Sequence, residues 1–123
     1  MNTHITILLI DDDPINNIVN NKLLKKFNPS LEIVEFLSAR KALQYLLDNG
    51  SSLPNIILLD INMPEMNGWE FLKVYQPLNL YCKLFLLTSS IAHEDIKQSK
   101  EYPVVQGFLT KPLEDDKIRK IFD

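Results

Sequence analysis

The sequence predicts an α/β domain built on a parallel sheet, and three observations lead there. Five short apolar runs alternate along the chain with segments whose apolar residues recur at helical spacing. Two of the runs, Ile7–Ile10 and Ile56–Leu59, are apolar without interruption, the pattern of strands covered on both faces. No repeat and no Gly/Ser-rich linker divides the 123 residues, so one domain over 1–123 is expected, long enough for a substantial core.

In chain order, the strands are expected at Ile5–Ile10, Leu31–Phe36, Asn55–Leu59, Lys83–Leu87 and Val104–Leu109. After the first strand, Ile15, Ile18, Val19, Leu23 and Phe27 mark a helix, with Asp13 placed to cap it and Pro14 in its first turn, where a missing N–H does no harm. Ser38 can cap a second helix carried by Ala39, Ala42, Leu43, Leu46 and Leu47. A third is marked by Trp69, Leu72 and Tyr75, and a last one by Leu113, Lys117, Ile118, Ile121 and Phe122. The stretch His93–Glu101 has Ile96 as its one clear apolar anchor, so a short, weakly held helix is expected there. Trp69 reads as packing, with fluorescence placed to report on events nearby.

Composition narrows the function. The chain is 46% apolar and 24% charged with a net charge of −3, so no diffuse basic field draws it to nucleic acid or anionic lipid. Lys22, Lys25 and Lys26 read as the solvated face of a helix. No apolar run approaches the roughly 20 residues that span a bilayer, and Met1–Thr6 lacks signal-peptide character. The single Cys82 excludes an internal disulfide, reads as a small buried residue and suits the reducing cytoplasm.

The chemistry lies at the strand ends. The first strand runs into Asp11-Asp12-Asp13, the third into Asp60, the fourth into Thr88-Ser89-Ser90 and the fifth into Thr110-Lys111-Pro112. In a parallel sheet these ends share one edge, where ligands bind. Carboxylates about 4 Å apart repel by roughly 4 kcal/mol at an effective dielectric of about 20. Lys111 alone does not offset three of them, whereas a hard divalent ion with oxygen ligands does, and Mg²⁺ suits a site of few carboxylates that also takes phosphate oxygens. Beside such an ion, Asp60 reads as a nucleophile able to form an acyl phosphate.

The stretches Ile7–Pro14, Ile57–Gly68, Leu86–Ser89 and Gly107–Pro112 resemble the receiver domains of bacterial two-component response regulators, over essentially the whole chain. The resemblance implies a doubly wound five-stranded parallel sheet of order 2-1-3-4-5, the flavodoxin-like three-layer sandwich. It implies that Asp60 is the phosphoacceptor, that Asp12 holds Mg²⁺ directly and Asp11 largely through water, and that Asn62 lends its backbone carbonyl. Thr88 would reach the phosphoryl oxygens and Lys111 would pair with another, with the Lys111–Pro112 bond cis. Phe108 occupies the aromatic switch position, and Asn62 and Ser90 occupy the two positions that tune phosphoryl lifetime.

A sensor histidine kinase or histidine phosphotransfer protein is the implied donor. The surface of the fourth helix, last strand and last helix is the implied output, with dimer formation compatible but not required. Because both ends read as natural, a stand-alone domain without an output module is expected. Two other classes compete. Asp11-Asp12-Asp13 also resembles the nucleophile motif of haloacid-dehalogenase-like phosphatases, with Asp11 as nucleophile and Asp13 as general acid, but Ile15 departs from that motif and Asp60–Gly68 is left unexplained. A module keeping only the fold would not need the set Asp11, Asp12, Asp60, Thr88 and Lys111. A flavin carrier would need a Ser/Thr/Gly-rich phosphate loop where Asp11–Pro14 stands.

Overall fold

Each apolar run becomes a strand, and the last three extend one residue beyond their apolar pattern, to Asp60, Thr88 and Thr110. The computed structural model describes residues 4–50 and 52–123. Among them, β1 (Thr6–Ile10), α1 (Pro14–Phe27), β2 (Glu32–Phe36), α2 (Ala39–Asp48), β3 (Ile56–Asp60) and α3 (Gly68–Tyr75) come first. A 3₁₀ turn (Gln76–Leu78), β4 (Lys83–Thr88), α4 (His93–Ser99), β5 (Val105–Thr110) and α5 (Asp115–Phe122) complete the order. The strands pair in parallel in the order β2-β1-β3-β4-β5, as the resemblance implied. No helix among the described residues is long and apolar enough to cross a membrane.

Side chains alternate across each strand, so the central strands feed two cores. Leu8, Ile10, Ile57, Leu59, Leu84 and Leu86 pack with Ala42, Leu46, Phe71, Leu72 and Tyr75 on one face. Ile7, Leu9, Leu58, Leu87 and Leu109 pack with Leu24, Ile118 and Ile121 on the other. Helix starts follow their polar signals. Asp13 accepts from Ile15 N at 2.9 Å and Ser38 from Lys41 N at 3.3 Å. Asn67 and Glu70 form a reciprocal capping box at 2.9 Å each way.

α1 corrects the expectation. Ile15, Ile18 and Val19 face outward, 68%, 50% and 40% exposed, Phe27 is also exposed and stacks on Phe122, and Leu23 is half-buried. The buried face is instead Asn17, Asn20 and Leu24. Leu47 of α2 likewise points outward. α4 ends at Ser99, earlier than expected, and buries none of its side chains. Lys22, Lys25 and Lys26 are exposed, and Cys82 is buried just before β4, where burial pushes its thiol pKa up and keeps it inert.

Glu65, in the loop after β3, sits at φ 65°, a left-handed conformation that favours Asn or Gly. Glu65→Asn is therefore expected to stabilise the fold by about 0.5–1 kcal/mol, read as a raised urea midpoint with an unchanged slope.

Candidate functional site

The strand order reverses between β1 and β3, which opens a crevice at their carboxyl ends. Asp11 and Asp12 leave β1 into that crevice and Asp60 is the last residue of β3. One carboxylate oxygen from each lies within 4.8 Å of those from the other two, with Asp11 and Asp60 buried and Asp12 half-buried. The chain is held here by short turns. Asp11 Oδ1 accepts from Asp13 N at 2.9 Å, and Asp60 Oδ1 accepts from Asn62 N at 3.4 Å. Behind Asp60, Gly68 N donates to Ile61 O at 2.8 Å. A Cβ on residue 68 would stand 2.9 Å from the Asp60 carbonyl oxygen, so only glycine permits this approach.

Lys111 reaches in from the end of β5. Its Nζ lies 3.0 Å from Asp11 Oδ2 and 3.4 Å from Asp60 Oδ1, and the Lys111–Pro112 peptide is cis, as the resemblance implied. Burial pushes the Asp60 pKa up to about 6, Asp11 adds to the rise, and Lys111 and the Asn62 N–H oppose it. For Lys111, burial alone would lower the pKa. The hydrogen bond to Asp11 and the charges of Asp60 and Asp11 outweigh that and hold it above the ordinary lysine value. One ammonium thus faces three carboxylates. An all-oxygen donor set of this density fits a hard divalent cation such as Mg²⁺.

Thr88 ends β4 at the same edge, buried, with its hydroxyl donating to Ser90 O at 2.8 Å and accepting from Ser90 N at 3.3 Å. Asn62 and Ser90 have exposed side chains on the rim, and Phe108 is half-buried against the core that contains Leu86, its register partner. The five expected residues Asp11, Asp12, Asp60, Thr88 and Lys111 therefore share one edge. Asp13 does not join them: its carboxylate caps α1 and is solvent-exposed, so the general acid of the phosphatase alternative is absent from the crevice. Trp69 stacks on Tyr102 with ring centroids 6.1 Å apart, consistent with packing.

Sequence reasoning missed Asn17 and Asn20. Both are buried, and both bond to the backbone of segments that carry site residues. The available signal was two amides three positions apart in line with Leu24, on the face opposite the apolar stripe.

The likeness to known proteins agrees with this geometry. A family model described as "Response regulator receiver domain" matches residues 7–123. The chain is 34% identical over 111 residues to a protein-glutamate methylesterase/protein-glutamine glutaminase of Treponema denticola, covering 88% of this chain and 28% of that protein. It is 32% identical over 115 residues to the nitrate/nitrite response regulator protein NarL of Escherichia coli, covering 94% of this chain and 51% of that one. The chain thus spans about half or less of these curated relatives. A two-component response regulator from Cytophaga hutchinsonii superposes with a TM-score of 0.88 at 29% identity, over 98% of this chain and 96% of that one. A receiver sheet order, an acidic crevice at its reversal point and a matching family model over nearly all residues lead to one assignment: the chain belongs to the response regulator receiver domains of two-component systems.

Proposed function

We propose that the domain is a phosphorylation switch that accepts a phosphoryl group on Asp60 from a phosphohistidine of a sensor histidine kinase or phosphotransfer protein. The observation that carries this reading is the placement of Asp60. It is buried at the topological crevice, ringed by Asp11 and Asp12, with the Lys111 ammonium 3.4 Å away.

With its pKa near 6, Asp60 is ionised at neutral pH and presents a nucleophilic oxygen. That oxygen forms the new O–P bond as the donor's P–N bond breaks, and the electron pair of the broken bond leaves with the imidazole nitrogen. Asp11, Asp12 and Asp60, with the Asn62 carbonyl, are the groups that would hold Mg²⁺, which would supply positive charge against the carboxylate and phosphoryl oxygens. Lys111 is placed to transfer its contact from Asp60 to a phosphoryl oxygen. Thr88 can exchange its bond to the Ser90 carbonyl for a stronger, charge-assisted one. Phe108 lies on β5 beside Leu86 of β4, and α4 has no buried anchor. Within the surface of α4, β5 and α5 it is therefore α4 that is cheap to shift toward a partner-bound state, while Ile118 and Ile121 hold α5 to the core. Hydrolysis returns Asp60 to the carboxylate, and the exposed Asn62 and Ser90 leave water access open. The domain is in this reading a self-modifying switch rather than a turnover enzyme, working in the cytoplasm where Cys82 stays reduced.

The test is treatment with acetyl phosphate or a phosphoramidate plus Mg²⁺, followed by intact mass. One phosphoryl gain that disappears in Asp60→Asn supports the reading, and a gain that persists in the variant sinks it.

The donor must approach this same edge, beside which α1 turns Ile15, Ile18 and Val19 outward. An apolar helical surface next to the donor's phosphohistidine would cover them. Ile18→Glu is accordingly expected to slow transfer from a protein donor about tenfold, or about 1.4 kcal/mol, while the rate from acetyl phosphate is unchanged. Parallel time courses with the two donors check this.

A further inference from the structure

Burying an amide side chain is costly unless its hydrogen bonds are made, and Asn17 Oδ1 has no partner among the described residues, so two buried asparagines on one helix face require a reason. Asn17 and Asn20 are at most 1% exposed, although Ile15, Ile18 and Val19 on the same helix would have supplied an apolar contact face. Each amide is tied to the backbone of a segment that delivers a charged group to the crevice. Asn17 Nδ2 donates to the Asp11 carbonyl oxygen at 3.0 Å and to the Phe36 carbonyl oxygen at 3.4 Å. Asn20 Oδ1 accepts from Leu113 N at 3.0 Å, two residues beyond Lys111 and 93 residues away in sequence.

Lys111 is pinned from its other side as well, because its own backbone N donates to Thr88 O at 2.9 Å. Two bonds thus bracket the lysine, one from β4 and one from α1. Its side chain is long and flexible, and the position of its ammonium between Asp11 and Asp60 depends on where the backbone starts it. Removing the Asn20 acceptor frees the stretch Lys111–Leu113 on one side and leaves the buried Leu113 N–H without a partner.

We infer that Asn20 is a positioning residue for Lys111: it anchors the loop after β5 to α1 so that the ammonium stands over Asp11 and Asp60. Asn17 does the same for the Asp11 backbone, which makes α1 the shared reference for the lysine and the acid. The effect of Asn20 on phosphoryl transfer rests on the function proposed above, but its effect on Lys111 does not.

The test compares Asn20→Leu, which fills the volume without an acceptor, with Asn20→Asp, which keeps an oxygen at the same place. Trace amine labelling of the metal-free protein, resolved by peptide mass spectrometry, reads the lysine directly. Lys111 should be labelled several-fold faster in Asn20→Leu and near the wild-type rate in Asn20→Asp, with exposed Lys22 and Lys41 unchanged in both. An unchanged Lys111, or an equal rise at all three lysines, overturns the inference. Should Asn20→Leu fail to fold, Asn20→Ala removes the same acceptor and is read in the same way. In a second arm, Asn20→Leu should slow phosphorylation by acetyl phosphate several-fold in the wild-type background and have no effect in Lys111→Ala. Equal slowing in both backgrounds counts against positioning through the lysine. If the wild-type chain takes no phosphoryl group at all, the phosphoacceptor reading fails while the labelling arm still decides the role of Asn20.

Discussion

Lys111→Met is expected to lose about 2–4 kcal/mol of folding stability in metal-free buffer at pH 7.5. The lysine is the positive partner of Asp11 and Asp60, whose side chains are essentially inaccessible, while its own side chain retains 13% exposure. Methionine keeps most of the packing of the lysine stem but leaves two buried carboxylates facing each other. Breaking a buried pair costs about 3–5 kcal/mol, and the partial exposure of Lys111 lowers the expectation by about 1 kcal/mol from that range. Lys111 also opposes the rise of the Asp60 pKa, so the variant should hold a proton at still higher pH than the wild type. Urea unfolding followed by circular dichroism, with EDTA and with Mg²⁺, checks the argument. Added Mg²⁺ should recover part of the loss by replacing the missing charge, and a loss below about 1 kcal/mol without metal would show the ion pairs to be weak.

The sheet was legible because its signal is redundant. A strand buried on both faces must be apolar at every position, and Ile7–Ile10 and Ile56–Leu59 leave no other reading. The site was legible for a related reason: the acids directly follow those strands, so topology carries them to one edge whatever the loop details. Periodicity alone was weaker for α1. Ile15, Ile18 and Val19 lie at helical spacing, but so do Asn17, Asn20 and Leu24, and hydrophobicity favoured the wrong set. What decides the matter is longer-range and polar: the bonds from Asn17 to Phe36 O and from Leu113 N to Asn20 are made between segments that a local pattern cannot relate. The hydroxyl of Thr88 shows a further limit. Its place at a strand end is sequence information, whereas its bond to the Ser90 carbonyl is a rotamer choice that no local sequence pattern specifies.

The same charge balance predicts the opposite outcome at Asp60. Asp60→Asn should stabilise the metal-free protein by about 2–3 kcal/mol at pH 7.5, even though it removes the proposed phosphoacceptor. The folded-state pKa of Asp60 lies near 6, above its ordinary value of 3.8, so folding favours the protonated acid. That contribution is fully present below about pH 4 and is lost as pH rises through about 6. Above that pH the ionised, buried carboxylate costs the folded state about 2–3 kcal/mol, the free-energy equivalent of the raised pKa. Asparagine mimics the protonated acid in shape and removes the repulsion from Asp11. The difference between variant and wild type should accordingly be small near pH 4, grow between about pH 4 and 6, and level off above about pH 7. Titrations remote from the crevice cancel in that difference, so unfolding measured in parallel across pH reads Asp60 together with its contacts to Asp11 and Lys111. Mg²⁺ should raise the stability of the wild type more than that of Asp60→Asn, because the variant has lost one carboxylate ligand and much of the repulsion that the cation relieves. A difference that does not change with pH would mean that Asp60 is not under electrostatic strain, and the proposal that cation binding and phosphorylation draw on strain stored in the acidic crevice would fail.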